Sequence, residues 1–338
     1  MSPHSRSRRR ALLALVAAPA LGACASWFGP PPPERAPVAL ALVGRIDDGA
    51  YGQAAYQGLV RVGYALGMET LHRDGIAPDR DAVLAALQEL AKGPASLIVV
   101  AGEGTSEAAQ RAAWEFPKKK FALLDGTLTR PNLAVYRLLP EQSAWLAGAA
   151  AALASKSGTV AHVGGERTAR AERLRAAFAD GARNAVPNIK FLTAFAGAQD
   201  EAARQVLAQA LAQGADVIFA PLPAQTLAAV ATDATAAGAK VIGATFDWVD
   251  LDPPRFAGSA VADPGALVLA AARDVRDNVF VGDIVRDFGV RRPEAVRLAL
   301  NPDLPQPLRA RLEALSLQVG SGRIAIPEGY DGPEMRVA

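Results

Sequence analysis

Cysteine occurs once in this sequence, at Cys24, so no disulfide can form within the chain. Histidine is nearly as scarce: beyond the first 23 residues only His72 and His162 remain. That is too little to build a zinc cluster or a Cys/His nucleophile pair. No Gly-x-Ser-x-Gly elbow occurs, and no glycine-rich loop ends in Gly-Lys-Ser or Gly-Lys-Thr. Gly102-Glu103-Gly104 follows an apolar run but lacks the third glycine of a dinucleotide fingerprint. It reads instead as a loop at a cleft edge, where helix-start N–H groups could meet a polar ligand. Asp47 and Asp48 are neighbours, so their carboxylates point apart rather than pairing as acid and base. These absences predict a protein that is not an enzyme and carries no cofactor. An excess of one charge is missing too, with 36 basic and 34 acidic residues. Four of the arginines lie in the first 23 residues, which hold no acid, leaving 32 basic against 34 acidic beyond them. A net of −2 is no footprint for nucleic acid, which is excluded as a partner. Beyond the N-terminus no apolar run is long and charge-free enough for a transmembrane helix.

What is present begins with Arg6, Arg8, Arg9 and Arg10, a basic stretch followed by the apolar Ala11 to Ala20. That core is too short to span a bilayer and reads as a signal peptide over residues 1–23. It closes with Leu21-Gly22-Ala23-Cys24, which resembles a bacterial lipobox and predicts a lipid on Cys24. An ordinary signal peptide with an incidental cysteine is the other reading. Ser7-Arg8-Arg9 hints at twin-arginine export. Residues 24–37 include four consecutive prolines and predict an extended tether from a membrane lipid to a folded body in the cell envelope. Ala25 stands where an inner-membrane retention signal often has Asp, which leaves an outer-membrane location open.

From Val38 onward, short unbroken apolar runs alternate with amphipathic stretches of helical spacing. Strands are predicted at Val38 to Val43, Leu97 to Ala101, Phe121 to Leu124 and Leu133 to Leu138, with helices at Tyr51 to Leu66, Arg80 to Ala91 and Ser106 to Glu115. A second set runs from the Ala-rich helix Ala144 to Ala154 through strands at Thr159 to Val163, Phe191 to Ala194, Val217 to Ala220 and Val241 to Ala244. Such runs mean parallel sheets covered on both faces, an α/β architecture of two doubly wound lobes with a binding cleft between them. Further elements after Asp250 predict that the chain recrosses to complete each lobe. The boundaries read as 38–140 and 251–280 for lobe 1, and 141–250 and 281–330 for lobe 2.

Several stretches then line up with a known family. Leu42 to Gln53, Phe121 to Gly126 with Pro131-Asn132-Leu133, Gln142 to Gly148, Ser157 to Gly165, Gln213 to Phe219, Val241-Ile242-Gly243 and the tail Ser321 to Ile324 with Pro327 occur in the family's order. Together they resemble the basic membrane protein family, purine nucleoside receptor-like substrate-binding lipoproteins of ABC transporters. The resemblance covers residues 38 to 328 and implies a type I periplasmic-binding fold, a small-molecule ligand between lobes joined by a hinge, and an ABC permease as partner. Three departures stand out. Tyr51 and Gly52 stand where the family usually has Phe and Asn, Thr245 where it has the first Asp of Asp-x-Asp, and Ala262 where it usually has Lys.

The candidate ligand residues are Asp48, Tyr51, Gln53, Gly104, Asp125, Gly165, Asp247 and Trp248. Asp48 is either a ligand contact or a cap for the first helix, and Tyr51 either stacks on a ligand or packs beneath its helix. Asp125 ends a strand, Gly164-Gly165 offers close backbone approach or a tight turn, and Trp248 beside Asp247 offers a second aromatic wall. His162, inside an apolar strand, reads as a satisfied core residue, and Lys118 to Lys120 as a solvated face. The expected function is capture of a nucleoside or nucleobase-like solute for an ABC importer. An envelope ligand sensor or scaffold that keeps the fold without transport is the alternative, and an enzyme on a doubly wound fold a third.

Overall fold

The computed structural model describes residues 36–336, so the predicted signal peptide, Cys24 and most of the tether lie outside the described residues. In chain order the first elements are β1 (Val38–Val43), α1 (Tyr51–Leu66), β2 (Thr70–Ile76), α2 (Arg80–Lys92), β3 (Leu97–Ala101), α3 (Ser106–Glu115), β4 (Lys120–Leu124) and β5 (Leu133–Leu138). Then follow α4 (Pro140–Ala154), β6 (Thr159–Gly164), α5 (Ala169–Ala185), β7 (Lys190–Phe195), α6 (Asp200–Ala212), β8 (Val217–Phe219), α7 (Ala224–Ala236), β9 (Lys240–Thr245), α8 (Trp248–Leu251) and β10 (Phe256–Ala262). The last are α9 (Pro264–Arg276), β11 (Val285–Phe288), β12 (Val296–Leu300) and α10 (Gln306–Gly320).

These strands make two six-stranded sheets, ordered β2-β1-β3-β4-β5-β11 and β7-β6-β8-β9-β10-β12. Every pairing is parallel except β10 with β12. The central strands β1 and β3 are wholly apolar and almost wholly buried, with Leu40 opposite Val99, because helices cover both faces. Helix starts are fixed by side chains read directly from the sequence. Asp79 accepts from the N–H groups of Asp81 and Ala82 ahead of α2, and Asp263 from Gly265 ahead of α9, whose first residue is a proline.

The chain crosses between the sheets three times, at 139, at 263 and between β11 and β12. This corrects the boundaries drawn from sequence. The strand at 256–262, assigned to lobe 1, hydrogen-bonds to β9 and belongs to the second sheet. The strand at 285–288, inside the segment assigned to lobe 2, pairs with β5 and completes the first. Wholly buried β10 fits between two strands, whereas Val-Arg-Asp-Phe of β11 has no apolar run to reveal it as a sheet edge. Among the described residues no helix is long and apolar enough to cross a membrane.

Candidate functional site

Doubly wound sheets bind ligands beyond the carboxyl ends of their strands. Here those ends, from both sheets, border a cavity of about 390 Å³. The first lobe contributes Ala50 and Tyr51 from the turn that opens α1. The second contributes Gly165, Glu166 and Arg170 from the β6–α5 turn and helix start, Phe219 from β8, Thr245 from β9 and Ala262 from β10. Most of the remaining lining is Ala, Leu and Pro. Of the lining hydroxyls, Ser143 donates to the Pro140 carbonyl, Thr226 donates to Asp200, and Thr168 accepts from Ala171 N–H as the cap of α5.

Tyr51 is the centre of the site's polar network. Its hydroxyl donates to Asp125 Oδ2 at 3.0 Å, and Asp125 Oδ1 accepts the Leu138 N–H at 2.7 Å. Burial, with the Asp125 charge beside it, holds the Tyr51 phenol well above its ordinary pKa, so the group stays protonated. From the opposite lobe, Arg170 brings Nη1 to 3.4 Å from Asp125 Oδ2 and sets its guanidinium 5.4 Å from the Tyr51 ring centre. Nearby, the Ala224 N–H at the start of α7 donates to the Gly49 carbonyl across the cleft at 2.9 Å. The two lobes therefore touch at the rim of the cavity. Thr245 adopts φ +68° and Asp125 φ +54°, a left-handed backbone uncommon for either side chain and least comfortable for β-branched Thr.

Of the residues singled out from sequence, Tyr51 and Gly165 line the cavity, and Asp125 stands behind Tyr51, one hydrogen bond away. Asp48 does not line it: its carboxylate accepts the N–H groups of Ala50, Gly52 and Gln53 at 2.8, 2.8 and 2.9 Å, which anchors the start of α1. Gln53 sits in that first turn, and Gly104 lies in the loop between β3 and α3; neither reaches the lining. Asp247 and Trp248 are likewise outside it. Asp247 pairs with Arg297 at 2.8 Å, while the Trp248 indole N–H donates to the Ala244 carbonyl and its ring stacks on Phe256. The side chains of Asp48, Asp247 and Trp248 are thus occupied within the fold. Sequence reasoning passed over Arg170, Glu166 and Phe219. The signal available for them was position, since each follows or ends a strand of the second sheet. Among the described residues no group of three or more His, Cys, Asp or Glu side chains is arranged to hold a metal ion.

Comparison with known proteins follows the same lines. A family model described as ABC transporter substrate-binding protein PnrA-like matches residues 36–321. Basic membrane protein A of Borreliella burgdorferi is 25% identical over 306 residues, covering 88% of this chain and 89% of that protein. A CD4+ T-cell-stimulating antigen of Listeria innocua is 28% identical over 183 residues, about half of each chain. In fold, the chain is similar to an ABC transporter solute-binding protein from Conexibacter woesei, at a TM-score of 0.73 and 21% identity over 88% of this chain and 100% of that one.

Proposed function

Because the chain belongs to the Bmp family of PnrA-like ABC transporter substrate-binding proteins, we propose that its solute is a nucleoside or nucleobase, held between the lobes and presented to a membrane permease. The observation that supports this most is the interlobe cavity. Its volume of about 390 Å³ falls in the range of small-molecule sites, and its walls are mostly apolar, with the aromatic ring of Tyr51 on the side of the first lobe. Flat rings stack favourably on such a ring, while a few polar groups fix orientation. The mechanism follows from the rim contacts. Solute binding to the closed form draws the population toward it, and the permease distinguishes closed from open by the relative placement of the lobes. The lipid on Cys24 would keep the protein at a membrane surface in the cell envelope.

The test uses residues 36–338, which form one compact unit. Thermal unfolding is followed with nucleosides, nucleobases, sugars and amino acids at a hundredfold excess over the dissociation constant. A nucleoside or nucleobase raises Tm by several degrees, since binding the folded state alone stabilises it by about 2.7 kcal/mol under those conditions. Tyr51→Ala abolishes the rise. Absence of any shift across the nucleosides and nucleobases, with one for a sugar or an amino acid, sinks the solute assignment.

A further inference from the structure

The residues lining the cavity include one cation, Arg170, and one anion, Glu166. Arg170 is the second residue of α5, and its side chain is 29% exposed. Among the described residues its one side-chain hydrogen bond is the long 3.4 Å contact from Nη1 to Asp125, and none of them accepts from Nε–H or the Nη2 protons. A guanidinium donates only, and its donors form a rigid planar fork. The start of α5 adds partial positive charge to the same corner. Across from it, the Tyr51 hydroxyl donates its hydrogen bond to Asp125 Oδ2, and Asp125 Oδ1 accepts the Leu138 N–H. Asp125 Oδ2, which already accepts from both Tyr51 and Arg170, has no lone pair left for a donor on the solute.

We propose that Arg170 is the specificity-determining residue of the cavity and reads a flat solute edge bearing two in-plane acceptors, the C6 carbonyl and N7 of a 6-oxopurine. The assignment rests on the nucleoside reading above and sharpens it. Arginine forks onto this pair of acceptors in guanine, whereas a 6-aminopurine turns its amino donor toward a group that can only donate. Two buried donors then face each other unpaired, which disfavours the amino compound. A carboxylate offers the same acceptor chemistry, so carboxylate solutes form a separate arm of the test.

Dissociation constants are measured calorimetrically for guanosine, inosine, adenosine and a set of small carboxylates on the wild type, Arg170→Gln and Arg170→Lys. Guanosine and inosine bind the wild type about tenfold or more tightly than adenosine, following the discrimination of one bidentate pair. Arg170→Gln brings that ratio to one or reverses it, because an amide offers a donor and an acceptor together and suits the amino purine. Arg170→Lys keeps the charge, loses the fork, and weakens the oxopurines. The ratio is read within each variant, so a general loss of folded protein cancels. Equal binding of adenosine and guanosine by the wild type, or an unchanged ratio in Arg170→Gln, overturns the role given to Arg170 while leaving nucleoside binding standing. Carboxylate binding lost in Arg170→Gln, with no nucleoside bound, overturns both the oxopurine assignment and the nucleoside reading.

Discussion

His162 is fully buried in β6, shares a hydrogen bond with Thr193 Oγ1 at 2.9 Å, and has no partner for Nε2 among the described residues. Phe195 and Phe219 lie against its ring, so the imidazole is wrapped in apolar surface one layer behind the cavity wall. Burial, with the nearby Arg175 charge adding to it, lowers its pKa to about 3. An unfolded chain takes up that proton near pH 6.5. The folded chain refuses it, so this histidine's contribution is fully present above about pH 6.5 and is lost as pH falls from there toward 3. The slope is about 1.4 kcal/mol per pH unit over that window. In His162→Gln, denaturant titrations between pH 7 and pH 4 give a flatter loss of stability than in the wild type; an identical slope would show that other groups carry the acid sensitivity. The residue's place in the core was legible from its apolar neighbours in sequence. Thr193, its partner, is 31 positions away on the adjoining strand and was not.

Helix α4 contains nothing charged beyond its first turn, and most of it is buried, as expected of a helix that is apolar all round. It lies so close to α5 that a Cβ on Gly181 would meet the Trp145 carbonyl oxygen at 1.9 Å, and one on Gly148 the Phe178 carbonyl at 2.0 Å. Gly181→Ala therefore destabilises by about 1–3 kcal/mol through overpacking, although the same change in an open helix interior is favourable. Gly63→Ala in α1, where a Cβ meets only the Met68 carbonyl at 3.9 Å, stabilises by about 0.4–1 kcal/mol. Opposite shifts in Tm for the two variants check the argument; equal signs would mean that the α4–α5 spacing is softer than described. The Ala-rich composition made α4 visible in sequence, but not which helix it touches. The same limit governs the strands. Central strands show as apolar runs, while β2, reading Thr-Leu-His-Arg-Asp-Gly-Ile, and β11 form sheet edges with one side in water and carry no such signal. Among the residues lining the cavity, Tyr51 was singled out through the family resemblance and Gly165 through the turn after a strand. Arg170 is one of four arginines along α5, and only the fold separates the one facing the cavity from the others, of which Arg175 is buried.

Across the whole molecule, the lobes meet at the rim of the cavity through Ala224 and Gly49 and through Arg170 and Asp125. The Ala224 N–H is one of the orphan donors of a helix start, and its acceptor, the Gly49 carbonyl, belongs to the other lobe. Opening removes that acceptor and exposes the amide. Hydrogen exchange at Ala224 is accordingly fast in the solute-free protein and slows at least about tenfold when the solute holds the lobes shut, because exchange tracks the population of the open form. Equal exchange with and without bound solute would place this contact outside the closing motion.

The order in which the chain visits its two sheets also bears on its synthesis. The first sheet gains its last edge only with β11, and the second needs β12, α10 and the tail. In that tail Glu334 meets Arg167 and the almost wholly buried Arg175, and Met335 N–H donates to the Thr193 carbonyl along the outer edge of β7. A polypeptide leaving a ribosome, or threading a pore, thus has its first sheet unfinished until β11 emerges, and its second until β12 follows. The connectivity itself delays the closing of either half, since each sheet takes its last strand only after the chain has built strands of the other.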